Sequence, residues 1–265
     1  MTTELFAIFG DPVAHSRSPL MHNHVFKTLE FPGCYTRVRL KDGRRLRDTF
    51  FTLGLQGANV TVPHKEAAFN ACDEVRGFAK EVGVVNTLVN ENGRLIGYNT
   101  DADGFLFAIR AFEAVEDVLI LGAGGTARAL AKRLRQNGKT VDVLNRSENR
   151  MAPFAAEGFK TMTWETFEPR GYDLVVNTTS AGLEDDSLPA PETLLQPLLE
   201  SSRYAADAIY GKVTPFLALC AALELPAIDG AEMLLGQGVL ANRYFTQERY
   251  DADTIEKVMR ESFAF

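Results

Sequence analysis

The chain has 265 residues, enough for one large domain or two modest ones, and its 46% hydrophobic and 24% charged residues exclude an extensively disordered protein. Lys and Arg together number 28 and Asp and Glu number 35, so the formal net charge is −7. An acidic chain is a poor general binder of nucleic acid, and no nucleic-acid partner is expected.

Short β-rich runs alternate with helical patterns through the first hundred residues. Leu5–Phe9 predicts a strand, and the helix after it is predicted to open with Ser18 as N-cap and Pro19 at the first helical position. The next predicted elements are a strand at Tyr35–Leu40, a helix at Asp42–Leu53, a strand at Ala58–Val62, a helix at Pro63–Cys72 and a hairpin formed by Val84–Val89 and Arg94–Tyr98.

A second series of alternating strands and helices follows, and it favours an α/β fold with a mostly parallel sheet. Strands are predicted at Asp117–Leu121, Val141–Leu144, Leu174–Val176 and Tyr204–Ala206. Helices are predicted at Gly124–Asn137, Ser147–Glu157, Ala231–Phe245 and Asp253–Phe263.

A glycine-rich turn joins the strand at Asp117–Leu121 to its helix. It consists of Gly122, Ala123, Gly124, Gly125 and Thr126, with Ala127 at the third glycine position of the dinucleotide fingerprint. Such a turn lets the backbone approach a pyrophosphate, and the helix N-terminus offers unpaired N–H groups. It therefore predicts dinucleotide binding, although similar turns also connect strands to helices for structural reasons alone.

The end of the next strand predicts which dinucleotide is bound. An NAD site usually carries an acidic residue there, but Asp142 lies inside the strand, and the strand ends in Asn145, Arg146 and Ser147, with Arg150 nearby. Guanidinium groups bind phosphate well, so this segment favours the 2′-phosphate of NADP over the free ribose of NAD. The alternative is an ordinary solvated start of a helix.

Polar residues gather after the predicted strands of the first half. Ser16 and Ser18 place hydroxyls at a helix N-terminus, which suits a small carboxylate, unless Ser18 is only a cap. Lys65 lies in a first helical turn, where the helix dipole disfavours positive charge, so it is either a proton carrier or a surface lysine. Asp101 follows another strand and suits catalysis, helix capping or both.

Other signals are weaker. Six Lys and Arg residues between Arg37 and Arg47 suggest a solvated strand end and helix face. The four histidines lack convincing metal spacing, and no metal is proposed. The cysteines Cys34, Cys72 and Cys220 predict free thiols in a reducing compartment.

With no secretory signal and no apolar run long enough for a membrane span, the protein is expected to be cytoplasmic and without a membrane partner.

Taken in order, the motifs resemble the shikimate dehydrogenase family. They are Ser16-Arg-Ser-Pro, Asn59-Val-Thr-Val-Pro-His-Lys65, Val85-Asn-Thr, Asn99-Thr-Asp, Gly122-Ala-Gly-Gly, Asn145-Arg-Ser, Asn177-Thr-Thr-Ser, Asp207-Ala-Ile-Tyr, Thr214-Pro-Phe and Gly230-Ala-Glu-Met-Leu-Leu-Gly-Gln237. They extend from about residue 8 to residue 240, so the resemblance covers nearly the whole chain.

The resemblance implies a substrate domain of residues 1–101 with returning helices at 231–265, and a Rossmann-type NADP domain at 102–230. It implies reversible reduction of 3-dehydroshikimate to shikimate by NADPH, in chorismate and aromatic amino-acid biosynthesis, by a monomer or homodimer. Lys65 and Asp101 match the catalytic pair. Substrate contacts are implied for Ser16, Ser18, Thr61, Asn86, Asp101, Tyr210 and Gln237, and further cofactor contacts for Ala208 and Gly230.

Some positions depart from the family pattern, namely Ala102, Thr126, Thr178 and Leu183. They remove no implied catalytic group but leave substrate preference open. Two alternatives therefore stand beside an NADP-dependent shikimate dehydrogenase. One is a quinate/shikimate dehydrogenase, and the other is a non-catalytic relative that senses such acids.

Overall fold

The computed structural model describes residues 2–264. The chain divides into two compact units, one holding the residues up to Gly104 together with those from Leu235 onward, and the other holding Phe105–Leu234. Each unit contains its own six-stranded sheet. The predicted α/β class is therefore confirmed.

The first unit is built on six strands and the helices between and after them. Its strands are β1 (Glu4–Gly10), β2 (Gly33–Arg39), β3 (Leu55–Val60), β4 (Glu74–Val75), β5 (Thr87–Glu91) and β6 (Arg94–Tyr98). Its helices are α1 (Ser18–Thr28), α2 (Leu46–Thr52), α3 (Lys65–Ala71), α4 (Phe78–Val82) and α11 (Ala252–Glu261). Helices α5 (Asp101–Ile109) and α10 (Ala231–Phe245) each contain a boundary between the units.

The sheet of the first unit is mixed, with the order β2-β1-β3-β5-β6-β4. β1 runs parallel to β2 and β3, whereas β5 runs antiparallel to β3 and β6. The antiparallel pairs come from the predicted hairpin, whose presence is confirmed: Asn92 (φ 55°) and Gly93 (φ 82°) form a two-residue turn that reverses the chain.

Both faces of this sheet are buried where β1 runs through it. Phe6 and Ile8 pack in a cluster with Phe26 and Phe245, whereas the alternate residues Ala7 and Phe9 belong to a second cluster. Successive side chains of a strand point to opposite faces, so an unbroken apolar run is the pattern of a strand covered on both sides.

The second unit contains an all-parallel sheet. Its strands are β7 (Asp117–Leu121), β8 (Thr140–Leu144), β9 (Lys160–Met162), β10 (Leu174–Asn177), β11 (Tyr204–Asp207) and β12 (Ala227–Ile228). Its helices are α6 (Gly125–Gln136), α7 (Ala152–Ala156), α8 (Glu192–Glu200) and α9 (Pro215–Ala222). The order β12-β11-β10-β7-β8-β9 is the Rossmann order, in which the direction of winding reverses beside β7.

Several helix starts differ from the predicted ones. The chain at Asp42–Leu53 is not one helix, because the Asp42 carboxylate accepts from the Arg44 N–H and starts a 3-10 turn at Gly43–Arg45 before α2. The segment Ser147–Glu157 is likewise a 3-10 turn at Glu148–Arg150 followed by α7. Each predicted helix merged a tight turn with the helix after it.

Helix α1 corrects a second expectation. Arg17 stands at its N-cap position without a capping hydrogen bond from its side chain, so Ser18 is the first helical residue and not the cap. The Ser18 N–H instead meets the Ser16 hydroxyl at 3.3 Å. Within residues 2–264, no helix is both long and apolar enough to cross a membrane.

Candidate active site

One edge of the first unit's sheet collects most of the predicted substrate and catalytic residues. β1 and β3 are parallel, so their carboxyl ends meet at this edge, and the antiparallel pairs Asn59 with Thr87 and Thr87 with Tyr98 bring the start of β5 and the end of β6 there as well. The segments at this edge carry Ser16 and Ser18 after β1, Thr61 and Lys65 after β3, Asn86 before β5 and Asp101 after β6.

Lys65 and Asp101 form an ion pair although 36 positions separate them. Each is the first residue of its helix, α3 and α5, and the Lys65 Nζ lies 2.5 Å from the Asp101 Oδ2. The two side chains are 25% and 17% exposed. A partly exposed ammonium held by a carboxylate can exchange a proton with a small molecule while keeping its orientation.

The two serines form a small buried hydroxyl site. Ser16 is 6% exposed and Ser18 3%, and the Ser16 hydroxyl donates to the Ser18 hydroxyl at 3.2 Å. The dipole of α1 favours an anion at this N-terminus, where the N-cap residue Arg17 makes no capping hydrogen bond. This arrangement suits a carboxylate.

Arg37 supports this hydroxyl site and was not predicted to do so. Its Nε and Nη2 both donate to the Ser16 carbonyl, at 3.1 and 2.6 Å. The sequence predicts only a solvated basic stretch for Arg37, because no local pattern indicates that β2 lies beside the loop after β1. The side chain is exposed, but its guanidinium fixes the loop and adds positive charge beside it.

Asn86 is buried and is held by the segment that leads into Asp101. Its Oδ1 accepts from the Thr100 N–H at 2.8 Å, and its Nδ2 donates to the Thr100 hydroxyl at 3.0 Å. Thr61 lies just beyond β3, where its N–H bonds to the Phe9 carbonyl at 2.9 Å, and it is half-buried. The predicted strand to Val62 therefore ends two residues early, and Thr61 belongs to the loop before α3.

The remaining predicted substrate residues lie in different units. Gln237 is 8% exposed in the part of α10 that belongs to the first unit. Tyr210 lies after β11 in the second unit and is half-buried.

The glycine turn of the second unit fits a diphosphate. Gly122 has φ 107°, and a Cβ on it would meet the Thr178 Oγ1 at 2.9 Å, so this position requires glycine. A Cβ on Gly124 or Gly125 would meet nothing within 4 Å, so open space lies over the start of α6, which has no side-chain cap. Ala127 is fully buried, as close packing of helix on strand requires.

The segment after β8 fits a 2′-phosphate. Asn145 donates to the Ser147 carbonyl at 2.9 Å and closes a tight turn, which leaves Arg146 and Arg150 exposed. Within residues 2–264, neither arginine has an ion-pair partner. Asp142, by contrast, is 4% exposed and accepts from the Tyr172 hydroxyl at 2.9 Å, so it is engaged inside the unit.

A buried carboxylate, Asp207, organises the loops after β10 and β11. It accepts from the Thr214 hydroxyl at 2.6 Å, the Ile209 N–H at 3.0 Å and the Asn177 Nδ2 at 3.1 Å. Burial raises the pKa of Asp207, and these hydrogen bonds oppose the shift. Gly230 packs nearby, where a Cβ would come within 2.4 Å of the Ala208 carbonyl oxygen.

Among residues 2–264, no group of three or more His, Cys, Asp and Glu side chains is arranged to bind a metal ion. His22 is fully buried, stacks on Tyr35 with ring centroids 4.5 Å apart, and lies 3.0 Å from the Asn242 Nδ2 through its Nδ1. Burial lowers its pKa to about 3, with the Asn59 side chain opposing in part, so this imidazole is a neutral packing group.

Comparison with known proteins gives a consistent result. Residues 8–88 match the family model described as the shikimate dehydrogenase substrate binding domain. The chain is 44% identical to a shikimate dehydrogenase (NADP(+)) of Helicobacter hepaticus, over 95% of this chain and 94% of the relative. It is 41% identical to that of Helicobacter acinonychis, over 99% and 100%.

A solved structure is similar over nearly its whole length. The shikimate 5-dehydrogenase of Thermus thermophilus, in complex with NADP(H) and shikimate, superposes with a TM-score of 0.86 at 36% identity, covering 98% of this chain and 100% of that one.

Proposed function

The chain belongs to the shikimate dehydrogenase family, and we propose that it interconverts shikimate and 3-dehydroshikimate with NADP as the hydride carrier. It is an NADP-dependent oxidoreductase. The observation that carries the proposal is the ion pair of Lys65 and Asp101, at the same sheet edge as the hydroxyl site of Ser16 and Ser18.

We assign the carboxylate of the substrate to Ser16 and Ser18. Their hydroxyls donate to it, and the N-terminus of α1 and the guanidinium of Arg37 add favourable charge. The ring hydroxyls are assigned to Thr61, Asn86, Asp101 and Gln237, and Tyr210 is proposed as a further substrate contact. These contacts hold the ring so that the reacting carbon has one orientation.

Lys65 is proposed as the acid and base. In the reducing direction its ammonium gives a proton to the oxygen of the reacting carbonyl, and in the oxidising direction the amine takes the hydroxyl proton. Asp101 orients the Lys65 side chain across their 2.5 Å contact and accepts from the substrate hydroxyl. Proton transfer of this kind contributes roughly 10²–10⁴ in rate.

The residues of the second unit fit NADP, which supplies or accepts the hydride when bound. The turn Gly122–Gly125 and the start of α6 would hold its diphosphate. Thr126 would add a contact there, and Asn145, Arg146, Ser147 and Arg150 would hold its 2′-phosphate. Ala208 and Gly230 line the loops organised by Asp207 and are assigned to the rest of the cofactor.

The direct experiment is a spectrophotometric assay that crosses NADP⁺ and NAD⁺ with shikimate and quinate. We expect rapid reduction of nicotinamide with NADP⁺ and shikimate and much slower reduction in the other three combinations. Equal rates with quinate would instead support a quinate/shikimate dehydrogenase. No reduction in any combination would contradict the proposal and favour a relative that only senses these acids.

The direction in the cell is proposed to be reduction of 3-dehydroshikimate, which supplies shikimate for chorismate and aromatic amino acids. Deleting the gene is then expected to create a requirement for aromatic amino acids that added shikimate relieves. Growth of the deletion strain without either supplement would contradict this direction.

A further inference from the structure

We propose that Tyr35 is a positioning residue for the substrate, because its buried hydroxyl fixes Asn59 and, through Thr87, the carboxamide of Asn86. The inference rests on the proposed function, in which Asn86 contacts a ring hydroxyl of shikimate. Tyr35 itself lies on β2 and is 2% exposed, so we infer that it acts on the substrate through its neighbours rather than by direct contact.

The chain of contacts starts at the phenol. The Tyr35 hydroxyl donates to the Asn59 Oδ1 at 2.7 Å. The Asn59 Nδ2 donates to the Thr87 hydroxyl at 3.2 Å and to the Asn86 carbonyl at 3.4 Å, so the oxygen and the amide of Asn59 are both used inside the protein. The Thr87 hydroxyl then donates to the Asn86 Oδ1 at 3.1 Å.

Every residue in this chain of contacts is buried. Asn59 is 4% exposed, Asn86 2% and Thr87 0%, so water cannot easily replace a lost partner. A buried polar group that loses its partner carries the full cost of its desolvation. Thr100 and Thr87 together therefore hold the Asn86 carboxamide, and Tyr35 acts on it through Asn59 and Thr87.

Tyr35 is itself held in place from helix α1. Asn23 bonds to both its backbone N–H and its carbonyl, at 2.8 Å each, and the His22 ring stacks on the phenol at an interplanar angle of 12°. The pKa of Tyr35 is raised well above its usual value, because burial outweighs hydrogen bonds from the Asn59 backbone and the Ser18 hydroxyl. The phenol thus stays protonated and donates at all working pH values.

The Tyr35 hydroxyl thus interacts with Ser18 and, through Asn59 and Thr87, with Asn86. Ser18 serves the carboxylate, and Asn86 serves a ring hydroxyl. The ion pair of Lys65 and Asp101 contains no member of the chain of contacts from Tyr35 to Asn86. Loss of the Tyr35 hydroxyl is therefore expected to weaken substrate binding more than proton transfer.

The test replaces Tyr35 by Phe, which removes one oxygen and keeps the ring. The matched control is Tyr172→Phe, because Tyr172 is 3% exposed and its hydroxyl bonds to a buried side chain of the second unit, Asp142, at 2.9 Å. We expect both variants to have a lower Tm. Only Tyr35→Phe should raise KM for shikimate, by roughly 5- to 10-fold, with kcat and KM for NADP⁺ changed by less than about twofold.

A second series makes the test independent of how well Tyr35→Phe folds. Thr87→Val breaks the same chain of contacts one step later and should raise KM for shikimate similarly, whereas Thr87→Ser keeps the hydroxyl and should restore it. The double variant Tyr35→Phe with Thr87→Val should raise KM for shikimate by less than the two single effects combined, since both substitutions interrupt the same series of hydrogen bonds.

The outcomes separate this inference from the proposed function. If the wild-type protein oxidises shikimate but Tyr35→Phe and Thr87→Val keep its KM for shikimate, the positioning role is wrong and the proposed function stands. If the wild-type protein is inactive with shikimate and NADP⁺, the proposed function is wrong and this inference falls with it.

Discussion

At the scale of single residues, the proposed proton transfer depends on Lys65. We expect Lys65→Met to lower kcat by roughly 10²–10⁴ while KM for shikimate changes only a few-fold, because the ammonium acts on the reacting oxygen and other groups hold the substrate. Lys80→Met, an exposed lysine of the same unit, is the control and should behave like wild type. Steady-state kinetics check both variants, and an unchanged kcat in Lys65→Met would rule out the role.

A second prediction at this scale concerns His22 and pH. Its pKa is about 3 in the folded protein, because of burial, and 6.5 ordinarily. Between these values the unfolded chain binds a proton that the folded protein does not. His22 therefore leaves the free energy of unfolding unaffected above pH 6.5. As the pH falls towards 3, it lowers that free energy by up to about 1.4 kcal/mol per pH unit.

Urea unfolding between pH 7.5 and 4.5 measures this dependence. His22→Gln should flatten the fall in stability, whereas Phe26→Leu, a buried and uncharged position in the same helix, should be less stable at every pH and keep the wild-type slope. The assignment to His22 would be disproved by a His22→Gln variant with the wild-type slope.

At the scale of elements, the hairpin β5–β6 brings the Asn86 and Asp101 segments to one edge. Its turn residue Gly93 has φ 82°, and a Cβ there would meet nothing within 4 Å, so any cost of substitution comes from the backbone. Gly93→Ala should lower the free energy of unfolding by about 1 kcal/mol. Gly93→Asn should lower the free energy of unfolding by less, because asparagine tolerates this conformation. Chemical denaturation checks both, and equal losses would show that the backbone conformation is not the cause.

A second prediction at this scale concerns the arginines in the segment after β8. The double variant Arg146→Ala with Arg150→Ala should raise KM for NADPH by roughly 10- to 100-fold and leave KM for NADH nearly unchanged, since only NADPH carries the 2′-phosphate. Lys139→Ala removes a positive charge just before the other end of β8 and is the control. A parallel rise in both KM values would assign the arginines a role other than recognition of the 2′-phosphate.

At the scale of the whole molecule, the two units should respond separately to the two ligands. Hydrogen–deuterium exchange with shikimate alone should protect the segments around Ser16–Ser18 and Thr61–Lys65 in the first unit. NADP⁺ alone should protect Gly122–Thr126 and Asn145–Arg150 in the second. Protection by shikimate only in the second unit would contradict the assignment of the sites.

Across the whole molecule, some strands and helices agree with those predicted from the sequence and others do not. The hydrophobic run of β1 and the Asn-Gly turn predict their elements because their causes are local, namely side-chain alternation and a favoured turn. The sequence predicts a single helix at Asp42–Leu53 and another at Ser147–Glu157, because a 3-10 turn and a following α-helix share nearly the same short-range pattern. The sequence does not predict the short strands β4, β9 and β12, since two or three residues carry too little pattern to identify a strand.

By itself, the sequence determined the class of fold, the glycine turn, the arginines suited to a phosphate and the order of motifs that marks the family. All of these depend on residue chemistry over a few neighbouring positions. Only the tertiary structure decided that Arg37 holds the carbonyl of Ser16 and that Tyr35 reaches Asn59. These contacts join residues 21 and 24 positions apart, and they exist because β2, β1 and β3 lie side by side, a strand order that no local pattern encodes.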